Sequence, residues 1–202
     1  MSHLRMTLAA ALVATAVGSQ ATAQGAFGSS YSSIKATNCW GIQGEKQVDD
    51  NTTRVCRGKV DLVVLVNEGA ARETISGGRD KTAAGNEPAA AEGFGPPGSA
   101  IRTIEWRMAG SEPFAIIQRW QLADKGETGT DGGPATRPML VVTRLPPGPV
   151  CHVAYVDVAA NANAEQLARQ AADELARNFK CGADQVKVIG ASGRAVELAQ
   201  QH

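Results

Sequence analysis

The chain has 202 residues and a formal net charge of zero, because 20 basic residues are balanced by 20 acidic ones. This balance argues against a broad basic surface, so we expect no nucleic acid partner and no electrostatic binding to an anionic membrane. The length fits one domain better than two, and it is sufficient to bury a hydrophobic core.

The first 23 residues have the three parts of a secretory signal peptide. Arg5 supplies a positive charge, residues 6–17 form an apolar run, and the tripeptide ending at Ala23 has the small-x-small pattern of a cleavage site. The apolar run is shorter than the roughly 20 residues of a membrane-spanning helix. We therefore predict an exported protein, periplasmic or secreted, whose mature chain starts near Gln24 and has no membrane span.

Four cysteines follow the signal: Cys39, Cys56, Cys151 and Cys181. An even number of cysteines in an exported chain indicates disulfides. Three pairings are possible, and we favour the sequential one, which joins the first cysteine to the second and the third to the fourth. Zinc is the alternative, but the sequence has no C-x-x-C pair and its spacings match no zinc module. We accordingly predict two disulfides and neither a metal nor a cofactor.

The N-terminal part of the mature chain predicts a leader, a hairpin and two strands. Residues 24–33 are rich in glycine and serine, which is typical of a flexible leader. We expect a short hairpin within residues 34–57, tied by the first disulfide. A β-branched run at residues 60–66 predicts a strand, and residues 72–76 predict a weaker returning strand. Residues 77–100 are rich in glycine, alanine and proline, and we predict a long loop there.

The clearest alternation of apolar and polar side chains lies in the centre of the chain. It predicts one hairpin from residues 104–108 and 114–122. A glycine-rich loop at residues 123–138 would lead to a second hairpin, formed by residues 139–145 and 150–158. The second pair of strands is apolar on both faces, which indicates that both sides of the sheet are covered.

Residues 163–180 supply one cover, because they carry an apolar stripe at helical spacing. Asn163 is a suitable N-cap, and Gln166 occupies the capping-box position. We expect a short edge strand at residues 186–189 and a frayed tail at residues 192–202. The predicted fold is α+β: an antiparallel sheet of five or six strands with one C-terminal helix packed on it and two disulfides, in a single domain over residues 34–191.

Three stretches carry a resemblance to a known group: IEWRM from Ile104, LVVTRLPPGPVCHVAY ending at Tyr155, and ARQAADELARNFKC ending at Cys181. They resemble an uncharacterised family of small exported proteins of Gram-negative bacteria that have four cysteines. The resemblance covers most of residues 32–181. It implies export to the periplasm, the four cysteines and the fold, and it supplies no activity.

Two neighbouring residues, Cys151 and His152, have the side chains of a thiol nucleophile and its base. Adjacent residues on a strand point to opposite faces, so they do not form a catalytic dyad there. The register set by the PPGP turn puts His152 across from Thr143, on one face with Val141, Ala154 and Val156. We expect a neutral, hydrogen-bonded histidine, and a general-base or metal role is the alternative.

Three charged residues, Glu105, Arg107 and Arg119, lie on the polar side of the predicted central strands. Glu105 would pair diagonally with Arg119 across the hairpin. The simplest interpretation is a solvated face linked by ion pairs. The alternative is a small anion or carboxylate site, since guanidinium groups bind such ligands bidentately. These three residues and His152 are the candidate ligand-binding residues, and no residue set predicts a catalytic site.

The sequence therefore favours a non-enzymatic binding or interaction module of the periplasm, whose partner is an unknown small ligand or an envelope protein. The alternative is a periplasmic hydrolase that uses His152 or Glu105. That alternative lacks a recognisable set of nucleophile, base and orienting residue.

Overall fold

The computed structural model of the chain describes residues 27–41, 52–69, 72–94 and 99–201. The predicted signal peptide, residues 1–23, and the predicted mature start near Gln24 lie outside this part of the chain. The described residues form mostly β-structure, arranged in two sheets whose strands are numbered β1 to β10 in chain order.

The larger sheet has six strands in the spatial order β1-β6-β7-β8-β9-β10. These strands are β1 (Phe27–Ser33), β6 (Ser99–Ala109), β7 (Glu112–Thr128), β8 (Pro134–Arg144), β9 (His152–Asp157) and β10 (Lys187–Val188). Neighbouring strands are antiparallel, except that β10 runs parallel to β9. The pairing of β7 with β8 continues as far as Thr128 and Pro134, so most of the predicted loop at residues 123–138 is instead the distal part of this hairpin.

The smaller sheet has four antiparallel strands in the order β2-β3-β4-β5. They are β2 (Cys39–Gly41), β3 (Thr52–Arg57), β4 (Val63–Glu68) and β5 (Glu73–Gly78). The sequence predicts these strands but not that they form a separate sheet, and the expectation of one sheet is therefore wrong. Alternation along a strand indicates which side chains are buried, but it carries no information about which strands pair.

The main hydrophobic core lies between the two sheets. On the larger sheet, Trp106 and Trp120 are fully buried and face it. On the smaller sheet, Val64, Val66 and Ile75 contribute to the same cluster. Indole rings bury more apolar surface than any other side chain, so these two tryptophans anchor the contact between the sheets. These tryptophans lie on the hairpin predicted from residues 104–108 and 114–122, which is confirmed by the antiparallel pairing of β6 with β7.

Three helices complete the described fold: α1 (Lys81–Gly85), α2 (Ala164–Leu175) and α3 (Arg194–Ala199). The alanine-rich stripe of α2 packs on the face of the larger sheet that points away from the smaller one. Asn163 occupies the N-cap position of α2, but its side chain makes no capping hydrogen bond, so the predicted capping box is absent. The helix also ends at Leu175, earlier than predicted, and two short helices accompany it.

The structure differs from the sequence prediction at both ends of the domain. Residues 27–33, predicted to lie in a flexible leader, form edge strand β1 and pair with β6. Its serines bind neighbouring side chains; for example, the indole Nε1–H of Trp106 donates to Ser32 Oγ over 2.8 Å. In the predicted tail, α3 buries Ala195 and Val196 in the main core. A short polar edge strand and a six-residue helix both lack the long periodic pattern that sequence analysis detects.

Candidate functional site

Both predicted disulfides are present, with the sequential pairing. Cys39 and Cys56 join directly opposite positions of β2 and β3. Cys151 and Cys181 join the start of β9 to the chain that follows α2. Because its sulfur is in a disulfide, Cys151 is not a thiol nucleophile.

A β-bulge determines the position of His152. Thr143 pairs with His152, as predicted, but the next pair is Val142 with Ala154, so Val153 is the extra residue of β9. An extra residue reverses the facing of every side chain beyond it. Ala154 therefore faces α2 and not the sheet interface, which corrects the prediction that Ala154 and Val156 share the face of His152. The same bulge brings Tyr155 onto the His152 side.

The imidazole of His152 is almost completely buried, at 2 % exposure. Its Nδ1 lies 3.0 Å from the hydroxyl oxygen of Tyr155, and its ring stacks on Phe94 with a centroid distance of 5.6 Å. Burial lowers the pKa of His152 to about 4, because a charged imidazolium would lose its hydration. The side chain is therefore neutral at neutral pH, as expected from the sequence.

The segment from Glu87 to Phe94 lies beside the start of β9 and closes the site. The carboxylate of Glu87 accepts a hydrogen bond from the backbone N–H of Val150 over 2.7 Å. The carboxylate of Glu92 accepts one from the backbone N–H of His152 over 2.8 Å. Part of the predicted loop at residues 77–100 is therefore ordered by two side chains that satisfy backbone donors of β9.

Glu92 is the carboxylate nearest to the imidazole, with Oε2 3.6 Å from His152 Nδ1. Because the imidazole is neutral, this contact is not an ion pair. Among the described residues, no lysine or arginine lies within 4.0 Å of Glu92. Burial raises the pKa of Glu92, and the hydrogen bond from the His152 amide opposes that rise only in part.

These groups surround a cleft of about 220 Å³, which we call the His152 cleft. It is lined by Arg72, Ala91, Glu92, Gly93, Phe94, His152, Tyr155 and Ala199. Gly93 is required for close packing at one wall, since an added Cβ would lie 2.7 Å from the carbonyl oxygen of Glu73 and 3.1 Å from Arg72 Cδ. The Cδ of Arg72 thus lies close to Gly93, and the Arg72 side chain, which is exposed, belongs to the lining of the cleft.

The other three predicted site residues lie on the opposite face of the same sheet, beneath α2. The guanidinium of Arg107 makes a bidentate contact with Asp173, at 2.9 and 2.7 Å. Glu105 accepts two hydrogen bonds from Arg169, at 2.6 and 3.1 Å. The structure therefore does not bring these residues together with His152.

Arg119 forms an ion pair with Glu165 of α2, so the predicted diagonal pair of Arg119 with Glu105 is not formed. The acidic and basic residues of α2 that reach the sheet are Glu165, Arg169 and Asp173, which are spaced four residues apart and so share one helix face. Their charges are complementary to those of the three sheet residues. The four-residue spacing of these charges is visible in the sequence and could have predicted that α2 covers the charged residues of the sheet.

A second cleft, of about 200 Å³, lies beside α3 and contains Asp124. Arg194 makes a bidentate contact with this carboxylate at 2.9 and 3.0 Å, and Arg137 lies 3.4 Å from it. These guanidinium groups lower the pKa of Asp124 to about 2. The carboxylate of this cleft is therefore matched within the protein, whereas Lys125, which also lines it, is exposed and forms no ion pair with the described residues. The contact of Arg194 with Asp124 attaches α3 to the larger sheet.

No family model, curated protein or solved structure matches the chain. Within the described residues, no helix is long and apolar enough to cross a membrane. The described residues also contain no cluster of three histidine, cysteine, aspartate or glutamate side chains that could hold a metal ion. The clefts are therefore the features of the molecule from which a function can be inferred.

Proposed function

We propose that the protein is an exported binding module of the periplasm that takes up a small ligand in the His152 cleft. The observation that carries this proposal is the difference between the carboxylates of the two clefts: Glu92 has no cationic partner among the described residues, whereas Asp124 has. Asp124 has two guanidinium partners. Glu92 and Arg72 line the His152 cleft, and neither forms an ion pair with a charged group of the described chain. Unmatched charge in a concave, partly apolar cleft is typical of a binding site.

Two observations support the exported location. The first is the signal-like sequence of residues 1–23. The second is the pair of disulfides, since such bonds persist in oxidising compartments and are rare in the cytosol. The resemblance to exported proteins of Gram-negative bacteria stays a prediction and agrees with both.

A hydrolase that uses His152 is the second candidate. The neutral imidazole with Tyr155 on Nδ1 and Glu92 nearby is the kind of arrangement in which a histidine accepts a proton from water. However, the residues that line the cleft include no serine, threonine or cysteine that would act as a nucleophile. Glu105, the other candidate base, is engaged by Arg169 on the far face of the sheet.

Thermal unfolding of the mature protein with a panel of free amino acids, monosaccharides, mono- and dicarboxylates and inorganic phosphate tests the proposal. A ligand of the cleft should raise the melting temperature saturably, with a stabilisation of about 2.7 kcal/mol at 100 times its Kd. The rise should disappear in Y155F and R72Q and persist in R119Q, whose side chain lies beneath α2.

No rise with any compound of the panel, or a rise that the two cleft variants retain, would contradict the binding function. For the hydrolase, NMR of the same mixtures should detect a product that His152→Gln no longer forms. Ligands that bind and remain unchanged would count against hydrolysis.

A further inference from the structure

The two unmatched charges of the His152 cleft have opposite signs and flank the same glycine. Glu92 precedes Gly93 in the chain, and the stem of Arg72 packs against Gly93 from β5. They form no ion pair, so no guanidinium nitrogen of Arg72 lies within 4.0 Å of a carboxylate oxygen of Glu92. A ligand between them would meet one anionic and one cationic group.

The surroundings of Glu92 favour a cationic partner. Its Oε2 accepts a hydrogen bond from the His152 amide and lies 3.6 Å from Nδ1 of the neutral imidazole. The aromatic rings of Phe94 and Tyr155 line the same cleft and lie edge to face, with centroids 5.5 Å apart. An ammonium group gains both from a partly desolvated carboxylate and from aromatic rings in the same cleft.

The exposed guanidinium of Arg72 favours an acid group. A guanidinium presents two parallel N–H donors that match a carboxylate. The remaining lining side chains, Ala91 and Ala199, are small and apolar. They leave room for a short aliphatic side chain and offer it no polar partner.

We propose that the His152 cleft binds a free α-amino acid with a small apolar side chain, its ammonium group at Glu92 and its carboxylate at Arg72. This inference rests on the proposed binding function and adds the class of ligand. A cleft of about 220 Å³ holds a molecule of that size but not a folded partner.

Isothermal titration calorimetry of the mature protein with L-alanine, L-valine and L-leucine tests the inference. The analogues are N-acetyl-L-valine, which has no ammonium group, and L-valine amide, which has no carboxylate. We expect at least one of the three amino acids to bind, and each valine analogue to bind about 10- to 100-fold more weakly than L-valine, the cost of losing a charged hydrogen bond.

Two variants test which side chain binds the ammonium group of the ligand and which binds its carboxylate. E92Q should weaken amino acid binding about tenfold or more and leave the affinity for N-acetyl-L-valine unchanged. R72Q should also weaken amino acid binding about tenfold or more, but it should leave the affinity for L-valine amide unchanged. Each has a matched control. Glu87 makes the same kind of contact to Val150 as Glu92 makes to His152 but does not line the cleft. Arg79 is exposed at the other end of β5. E87Q and R79Q should bind as the wild type does.

Equal affinity for L-valine and its analogues would overturn the inference, and so would the absence of binding by all three amino acids. If another compound of the thermal panel then binds in a manner that depends on Tyr155 and Arg72, the binding function stands and only the ligand class is wrong. If nothing in the panel binds, the binding function itself fails.

Discussion

The two faces of the six-stranded sheet use the same kinds of side chain in different ways. On the helix-covered face, Glu105, Arg107 and Arg119 each have a partner of opposite charge on α2. On the other face, the His152 cleft holds Glu92 and Arg72, neither of which has such a partner among the described residues. Charges that are matched inside the protein contribute to packing, whereas unmatched charges at a cleft are available to a ligand.

This difference follows from what covers each face. The helix α2 contributes a row of charged residues at four-residue spacing, which meets the charged row of the sheet. The cleft is covered by the irregular segment from Glu87 to Phe94, and its carboxylates bind backbone amides of β9. Variants that remove charged side chains from one face at a time test this difference between the two faces.

The largest expected effect is the loss of Arg107. Its guanidinium is only 7 % exposed and is bound to Asp173 and Ser29. The R107M variant leaves Asp173 without its partner beneath α2, and breaking a buried pair in this way costs about 3–5 kcal/mol. Urea unfolding of the wild type and R107M should show that loss. R119M is the control, because the more exposed pair with Glu165 contributes about 0–1 kcal/mol. Equal losses in the two variants would contradict the difference between a buried network and a surface pair.

The next effect is a dependence of stability on pH that comes from His152. Its pKa is about 4 in the folded protein, against 6.5 for the unperturbed side chain. Between these two pKa values the unfolded chain binds more protons than the folded protein, so stability falls as the pH is lowered from 6.5 to 4, by about 3 kcal/mol in total.

Comparison of the wild type with H152Q isolates this contribution. The raised pKa of Glu92 changes stability in the opposite direction, but it is present in both proteins. The unfolding free energy of H152Q should therefore fall less steeply than that of the wild type in this range. The titratable and charged groups that line the cleft with the imidazole are Glu92, Tyr155 and Arg72. Parallel pH profiles of the two proteins would show that the histidine is not buried in its neutral form.

A smaller effect is expected when a methyl group is added to Gly93, which lines one wall of the cleft. The added methyl group of G93A would meet the backbone of Glu73 and the side chain of Thr74, at 2.7 and 2.8 Å. Such overpacking costs about 1–3 kcal/mol, and the displaced wall should also reduce ligand binding. In G28A the new methyl group has open space, so its stability should stay within about 0.5 kcal/mol of the wild type. If G93A is as stable as G28A, the close approach at this wall is not required.

The smallest expected effect on folding belongs to Arg72. Its side chain is exposed and forms no ion pair with the described residues, so R72Q should change the unfolding free energy by no more than about 0.5 kcal/mol. The same variant should lose its response to ligand. A destabilisation as large as that of R107M would show that Arg72 belongs to the fold and not to a binding site.

Much of the framework was predictable from the sequence. The alternation of Ile104 and Trp106 with Glu105 and Arg107 predicted the central strand. The even number of cysteines behind an export signal predicted two disulfides, and the favoured sequential pairing is the one present. The separation into two sheets was not predictable, because it depends on strand pairing across long distances in the chain. Edge strand β1 was missed since its stability comes from neighbours and not from its own serine-rich sequence.

The site was only partly predictable. His152 and its partner Thr143 followed from the turn before β9, but the bulge at Val153, which brings Tyr155 beside His152, has no signal in the local sequence. Glu92 and Phe94 were missed because they lie in a segment whose composition resembles a structureless loop. Its order comes from tertiary hydrogen bonds to β9, and such bonds have no periodic pattern.

The most direct test of the account is an NMR titration that follows the backbone amides on both faces of the sheet. The His152 amide donates to Glu92, so its signal reports on any ligand that reaches this carboxylate. With L-valine, we predict saturable shifts at Glu92, Gly93 and His152 and no shifts at Glu105 and Arg107. Shifts confined to the helix-covered face, or no saturable shift at the cleft, would contradict the claim that unmatched charge marks the ligand site of this protein.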